Sequence, residues 1–183
     1  MIREDASMIR ITSGTFRSRL LKTPDTTLTK PTMDKVRLGV FSAIGERVEH
    51  AHVLDLFAGC GSYGFEALSR GAASAAFIEK GHEQISCIKA NAANLGVNVS
   101  YFMMDVIAFL KETNEKYDLI FVDPPYKLDC YNEVVDLILS RELITKDGII
   151  ILETEAPLSL DESKFSKVKM YKYGLAKVYI LRK

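Results

Sequence analysis

Val53-Leu54-Asp55-Leu56-Phe57-Ala58-Gly59-Cys60-Gly61-Ser62-Tyr63-Gly64, residues 53–64, reads as a buried strand that runs into a glycine loop and opens a helix. The apolar run suits a central strand covered on both faces. Gly59, Gly61 and Gly64 stand in GxGxxG spacing, which lets backbone approach a ligand closely. The helix continues through Leu68, Gly71 stops it, and residues 75–79 form the next strand with the Glu79 carboxylate at its end. Outward from this unit the alternation repeats. Residues 84–95 place Ile85, Ile88, Ala92 and Leu95 at helix spacing before Gly96, and residues 99–103 read as a third strand. A short helix at 106–111, a central strand at 119–122, a helix at 131–140 and a fifth strand at 149–152 follow. Residues 167–173 and 175–181, separated by Gly174, close the chain as an antiparallel hairpin. The expected fold is α/β: a seven-stranded, doubly wound, mostly parallel sheet with a C-terminal antiparallel hairpin.

Ahead of this sheet the pattern differs. Residues 9–13 alternate apolar and polar, Gly14 marks a turn, and residues 19–22 return, giving a small N-terminal β-hairpin that displays Arg17 and Arg19. A helix capped by Thr32 or Asp34 runs to about Val48, with Val36, Val40, Phe41, Ile44 and Val48 on one face. The chain divides into a basic hairpin extension at 1–30 and a main domain at 31–183.

Composition excludes several classes. The 183 residues are 48% hydrophobic and 26% charged, the profile of one ordinary globular domain. Twenty-four basic residues balance 24 acidic ones, so the chain does not grip a polyanion by bulk charge. Residues 1–40 nevertheless hold eight basic and four acidic groups, a local +4 against −4 for the remainder, as a basic element meeting nucleic acid would. Cys60, Cys87 and Cys130 form no CxxC pair, so neither a disulfide framework nor a zinc site is expected, and a reducing cytoplasm fits. His50, His52 and His82 lack metal-ligand spacing, and no metal is expected. Charges throughout the first twenty residues leave no signal-peptide core, and no apolar run is long enough to span a membrane.

The glycine loop accommodates two kinds of cofactor. A dinucleotide places its pyrophosphate on the helix N-terminus. S-adenosylmethionine carries a cationic sulfonium and an amino-acid end. Asp55, Glu79 and Asp105 stand at three successive strand ends, where they would repel a pyrophosphate and suit the sulfonium cofactor. Glu79 there can accept both ribose hydroxyls. Asp105, ahead of Val106, offers an acceptor for an adenine amine and is equally a helix cap.

Asp123-Pro124-Pro125-Tyr126 follows the fourth strand and is the most specific motif in the chain. Two prolines fix φ and remove donors, which makes a rigid loop, and the residue before them is pushed to an extended conformation. An exocyclic base amine is a poor nucleophile because its lone pair is delocalised into the ring. The Asp123 carboxylate and the Pro124 carbonyl can hold its two hydrogens and aim the lone pair at a methyl group, while Tyr126 stacks on the flipped base.

Residues 53–71 together with DPPY resemble the class I methyltransferases. The fuller pattern resembles the RsmD family of 16S rRNA guanine-N2 methyltransferases, which adds the Arg10…Gly14…Arg17…Arg19 segment and Lys30-Pro31-Thr32-Met33-Asp34-Lys35-Val36-Arg37. By that resemblance Asp55, Phe57, Gly59, Gly61, Glu79, Lys80, Asp105 and Val106, with Thr32, would hold S-adenosylmethionine. Asp123, Pro124 and Tyr126 would act on the flipped guanine. Arg10, Arg17, Arg19, Lys30 and Arg37 would contact RNA, with Thr32 and Arg37 closing the site. The chain would work as a monomer on 16S rRNA within the small ribosomal subunit. Lys30 departs from the family's usual Arg and would meet phosphate as a point charge.

Other residues read as framework. Cys60 is a small filler in the loop, Tyr101-Phe102-Met103-Met104 a core strand, and Glu66 a surface group or compensation of the helix dipole. Three other functions share some of these features. An adenine-N6 methyltransferase uses DPPY too, but usually carries a target-recognition insertion that 183 residues leave no room for. An NAD-dependent oxidoreductase would bind NAD(H) and not S-adenosylmethionine. A non-catalytic RNA-binding or assembly factor would keep the fold alone.

Overall fold

The computed structural model describes residues 8–24, 31–125 and 127–183. β1 (Met8–Arg10) and β2 (Leu20–Lys22) form the antiparallel N-terminal hairpin, with Ile9 opposite Leu21. α1 (Pro31–Ile44) begins on a proline, whose missing N–H costs nothing in the first turn, and ends in a 3₁₀ turn at Gly45–Val48.

The main sheet follows in βα order. β3 (His52–Leu56), α2 (Ser62–Ser69), β4 (Ser74–Glu79), α3 (His82–Leu95), β5 (Ser100–Met103), α4 (Val106–Glu112), β6 (Tyr117–Val122), α5 (Tyr131–Ser140) and β7 (Ile144–Thr154) precede the hairpin of β8 (Lys167–Tyr173) and β9 (Ala176–Arg182). The seven strands lie in the order β5-β4-β3-β6-β7-β9-β8. β3 pairs in parallel with both β4 and β6, while β9 runs antiparallel between β7 and β8. The chain winds outward from β3 to β5, then returns to β6 and winds the other way. That reversal opens a crevice beyond the carboxyl ends of β3 and β6.

Both faces of the sheet are covered, which is why the central strands are apolar throughout. Val53, Leu119, Phe121 and Ile151 face a cluster completed by α1, α2, α3 and the N-terminal hairpin. Leu54, Leu56, Ile120, Val122 and Ile150 face α4 and α5. No helix among the described residues is long and apolar enough to cross a membrane.

One expected core strand is not core. β5 is one of the two edge strands, and Tyr101, Phe102 and Met103 are 41%, 41% and 58% exposed. Apolar content marks a strand but not its place in the sheet. Tyr101 lies under the Lys89 ammonium, and Phe102 packs on Phe109 from α4.

Candidate functional site

The carboxyl ends of β3, β4 and β6 meet at a cavity of about 470 Å³. Its wall takes Phe57 and Gly59 from the turn after β3, Glu79 and Lys80 from the end of β4, Asp105 and Val106 at the start of α4, and Asp123 and Pro124 after β6. Ile9 and Pro24 bring the N-terminal hairpin to the same wall, and Gln84 and Leu128 line it as well. Those four were not expected from sequence, because nothing local marks an apolar or amide side chain as a wall.

The three loop glycines divide into two roles. Gly59 has φ +55°, and a methyl group added there would meet nothing within 4 Å, so its bare backbone faces open cavity. A methyl on Gly61 or Gly64 would come within 2.7 Å of the Phe65 ring or 2.3 Å of the Phe77 ring. These two glycines let α2 pack directly on β4. Phe57 also holds a left-handed φ of +58°, a strained state for a side-chain-bearing residue that costs about 1–3 kcal/mol.

Each acid has a defined place. Glu79 Oε2 accepts the Gly59 N–H at 2.9 Å and Oε1 accepts the Gly81 N–H at 2.8 Å, which pins the glycine loop to the end of β4. Each oxygen keeps a lone pair for a ligand hydroxyl. Asp105 Oδ1 accepts from the N–H groups of Ile107 and Ala108 at 2.9 and 3.1 Å, so it is the cap of α4; its second oxygen has no partner among the described residues. Asp55 lies beneath the wall rather than on it: it is 2% exposed and its Oδ2 accepts the Gly64 N–H at 2.9 Å. Burial pushes its carboxyl up to about 8, the Gly64 bond pulling back and the Glu79 charge adding to the rise.

Asp123 gains a neighbour that the sequence did not announce. Phe121 pairs with Asp55 on one side and Ile151 on the other. Continuing that register sets Asp123 beside Glu153, which is 8% exposed. The Tyr63 hydroxyl donates to Glu153 Oε2 at 2.5 Å, and the Tyr63 ring stacks on Phe121 at 4.8 Å and 17°. The Tyr131 hydroxyl donates to the Glu153 carbonyl at 2.7 Å. Burial first, then the charges of Glu153 and Asp55, hold the Asp123 carboxyl well above the ordinary carboxylate range. Burial raises Glu153 too, against the pull of the Tyr63 hydroxyl and Arg37. The Cys60 thiol is pushed to about 12, chiefly by burial, as befits a filler and not a nucleophile.

The basic residues separate. Arg10 and Arg17 are exposed on the hairpin; Arg10 Nη1 reaches the Ser18 carbonyl at 3.4 Å. Arg19 is exposed as well, but its Nη2 donates to the Asn94 carbonyl and Oδ1 at 2.7 and 3.2 Å, tying the hairpin to α3. Arg37 is not an exposed RNA contact. It is 2% exposed and donates to Asp34 Oδ1 at 2.8 Å, the Arg10 carbonyl at 2.6 Å and Glu66 Oε2 at 3.3 Å. Glu66, read as a surface group, is fully buried. It accepts from the N–H groups of Thr12 and Ser13, the Thr12 hydroxyl, Arg37 and Arg70. A long amphipathic α1 and the hairpin cover α2 together, and Glu66 faces both. Lys30 and Tyr126 lie outside the described residues, and Thr32 falls within α1 with its side chain outside them.

The residues present fit S-adenosylmethionine better than a dinucleotide. Among the described residues, Glu79, Asp105 and Asp123 line the cavity against a single cation, Lys80, so the wall favours a cationic ligand. The open space at Gly59 is the cradle that a side chain would fill.

Comparison with known proteins agrees with this geometry. Residues 9–182 match the family described as Conserved hypothetical protein 95. The protein YlbH of Bacillus subtilis is 33% identical over 96% of this chain and 99% of its own. The Escherichia coli ribosomal RNA small subunit methyltransferase D is 32% identical over 82% of this chain and 76% of its own. The solved structure of Escherichia coli yhhF superposes with a TM-score of 0.84 at 27% identity, covering 96% of this chain and 98% of that one. A family match along almost the whole chain, with relatives a third identical, shows that this chain belongs to the RsmD family of ribosomal RNA methyltransferases.

Proposed function

We propose that this chain transfers a methyl group from S-adenosylmethionine to the exocyclic N2 amine of a guanine in 16S rRNA of the small ribosomal subunit. The observation that carries the reading is Asp123, set where the acid-lined cavity meets the rigid Pro124-Pro125 loop. When bound, S-adenosylmethionine supplies an electrophilic methyl on a sulfonium. Glu79 would take the ribose hydroxyls, Asp105 the adenine amine, and Phe57, Lys80 and Val106 the flanks of the cofactor; Thr32 would contact it too. Asp55 and Gly61 would act from behind, by fixing the loop and the start of α2.

For the base, the Asp123 carboxylate and the Pro124 carbonyl would accept the two amine hydrogens and turn the nitrogen lone pair toward the methyl, and Tyr126 would stack on the ring. A cation in the cavity favours the ionised form of Asp123, against the burial that raises its proton affinity. Transfer moves positive charge onto the exocyclic nitrogen, and Asp123 would take the proton released there. Orientation and matched charge supply the acceleration. Arg10, Arg17, Arg19 and Lys30 would hold the RNA outside.

The test is labelled methyl transfer from S-adenosylmethionine onto naked 16S rRNA and onto small subunits that lack the modification, followed by nucleoside analysis. N2-methylguanosine is the expected product. N6-methyladenosine would overturn the choice of base. No transfer to either substrate, or tight NAD(H) binding without S-adenosylmethionine binding, would overturn the reaction.

A further inference from the structure

The charge division at residue 40 conceals a larger one. Residues 165–183 hold six basic side chains and no acidic one, whereas residues 41–164 hold ten basic against twenty acidic. The basic stretch is the β8–β9 hairpin, and its position relates it to the site. Glu153 pairs with Val178, and Val178 with Tyr171, so β8 lies three strands out from Asp123 along one row. The turn at Gly174 and Leu175 is at the carboxyl end of the sheet, where Lys172 pairs with Lys177 and Lys177 with Thr154.

Lys167, Lys169 and Lys172 are exposed on this outermost strand, and none has a hydrogen-bond or ion-pair partner among the described residues. At about 3.3 Å per residue they spread over roughly 17 Å of edge. Tyr171 and Tyr173 share the strand face of Lys167 and Lys169 but turn inward, whereas Lys172 stands on the other face: both tyrosines pack on the core, and a methyl on Gly39 of α1 would come within 2.3 Å of the Tyr173 ring. The edge strand therefore offers ammonium groups on both of its faces, while its two tyrosines are half-buried and engaged with the core, which is chemistry for phosphate more than for bases.

Lysine on an edge strand also discourages pairing between sheets. That role does not explain the pattern. The opposite edge, β5, presents Tyr101, Phe102 and Met103 and no charge, while Lys177 and Arg182 lie on the inner strand β9.

We propose that the β8 edge, through Lys167, Lys169 and Lys172, is a second RNA-contacting surface that holds the phosphate backbone of an rRNA segment flanking the target base. The inference rests on the rRNA reading above and extends it to the side of the molecule away from the N-terminal hairpin. The test compares the unaltered chain with Lys167→Gln/Lys169→Gln/Lys172→Gln, using 16S rRNA in whichever form, naked or in small subunits, accepts methyl. The Kd for that RNA should rise about tenfold at 0.15 M salt, and the slope of log K against log salt should flatten by about 2, at roughly 0.7 per phosphate contact. The Kd for S-adenosylmethionine should stay unchanged. A slope equal to that of the unaltered chain overturns the proposal. So does an equal loss in Lys111→Gln/Lys116→Gln/Lys146→Gln, which removes three exposed lysines elsewhere and reports bulk charge. Failure of the unaltered chain to methylate any rRNA form is a separate result: it overturns the functional reading on which the surface depends.

Discussion

Asp123 and Glu153 are two acids of one cluster with different histories. Asp123 stands in a four-residue motif whose prolines announce a rigid loop, so its place is legible in the amino-acid sequence. Glu153 sits at the end of an apolar strand and reads locally as the first polar residue of a loop. Only the β6–β7 register brings it to Asp123, and only packing of α2 brings the Tyr63 hydroxyl to its Oε2. Asp55 is legible as an acid at a strand end but not as a buried one, since the pull of the Gly64 N–H depends on how α2 starts. The amine-holding role assigned to Asp123 makes a sharp expectation. Asp123→Asn should lower single-turnover methyl transfer by about 10²–10³-fold, the usual scale for one preorganised charge-stabilising group, with the S-adenosylmethionine Kd nearly unchanged. Full activity in the variant would exclude the role.

At the scale of elements, the N-terminal hairpin is joined to the main sheet through a buried charge cluster. Glu66 on α2 meets Arg37 from α1, Arg70 from just past the end of its own helix and the Thr12–Ser13 backbone of the hairpin. Helical spacing marks α2 but not what covers it, which is why a carboxylate in its middle reads as solvated. The same blindness makes β5 look like core: apolar residues mark a strand, and only the sheet order shows that it is an edge. Glu66→Ala would leave the Arg37 guanidinium with Asp34 alone as its carboxylate and the partly exposed Arg70 with none among the described residues, and removing one partner of a buried charge cluster typically costs about 3–5 kcal/mol. The urea midpoint should fall accordingly. Limited proteolysis should then cut first within residues 11–19, because the hairpin loses the three hydrogen bonds that Thr12 and Ser13 give to Glu66 and keeps those to Ser69, Asn91 and Asn94. A midpoint within error of the unaltered chain would show that the cluster contributes nothing net.

For the molecule as a whole, the acids gathered at the sheet's carboxyl ends make stability depend on pH in an uncommon direction. Asp55, Asp123 and Glu153 all bind protons more tightly folded than unfolded. A carboxyl of that kind favours the fold fully below its unfolded range. The advantage is lost as pH rises through the folded value, about 8 for Asp55. Thermal melts without cofactor should therefore show Tm falling between pH 5.5 and 8.5, and Asp55→Asn should remove part of that fall. A melting curve independent of pH over this window would contradict the burial of these groups. The sheet order has a further consequence, for the time course of folding. β3 meets β4 across a single helix, but Val53 meets Leu119 only after three helices and two strands have been laid down between them. Closing that long loop is the slow kind of event in folding, since its entropy is lost before its contacts form. The crevice between β3 and β6 exists only after it. A refolding chain should thus regain most of its helix while still unable to bind any ligand, and binding competence should mark the last stage of assembly.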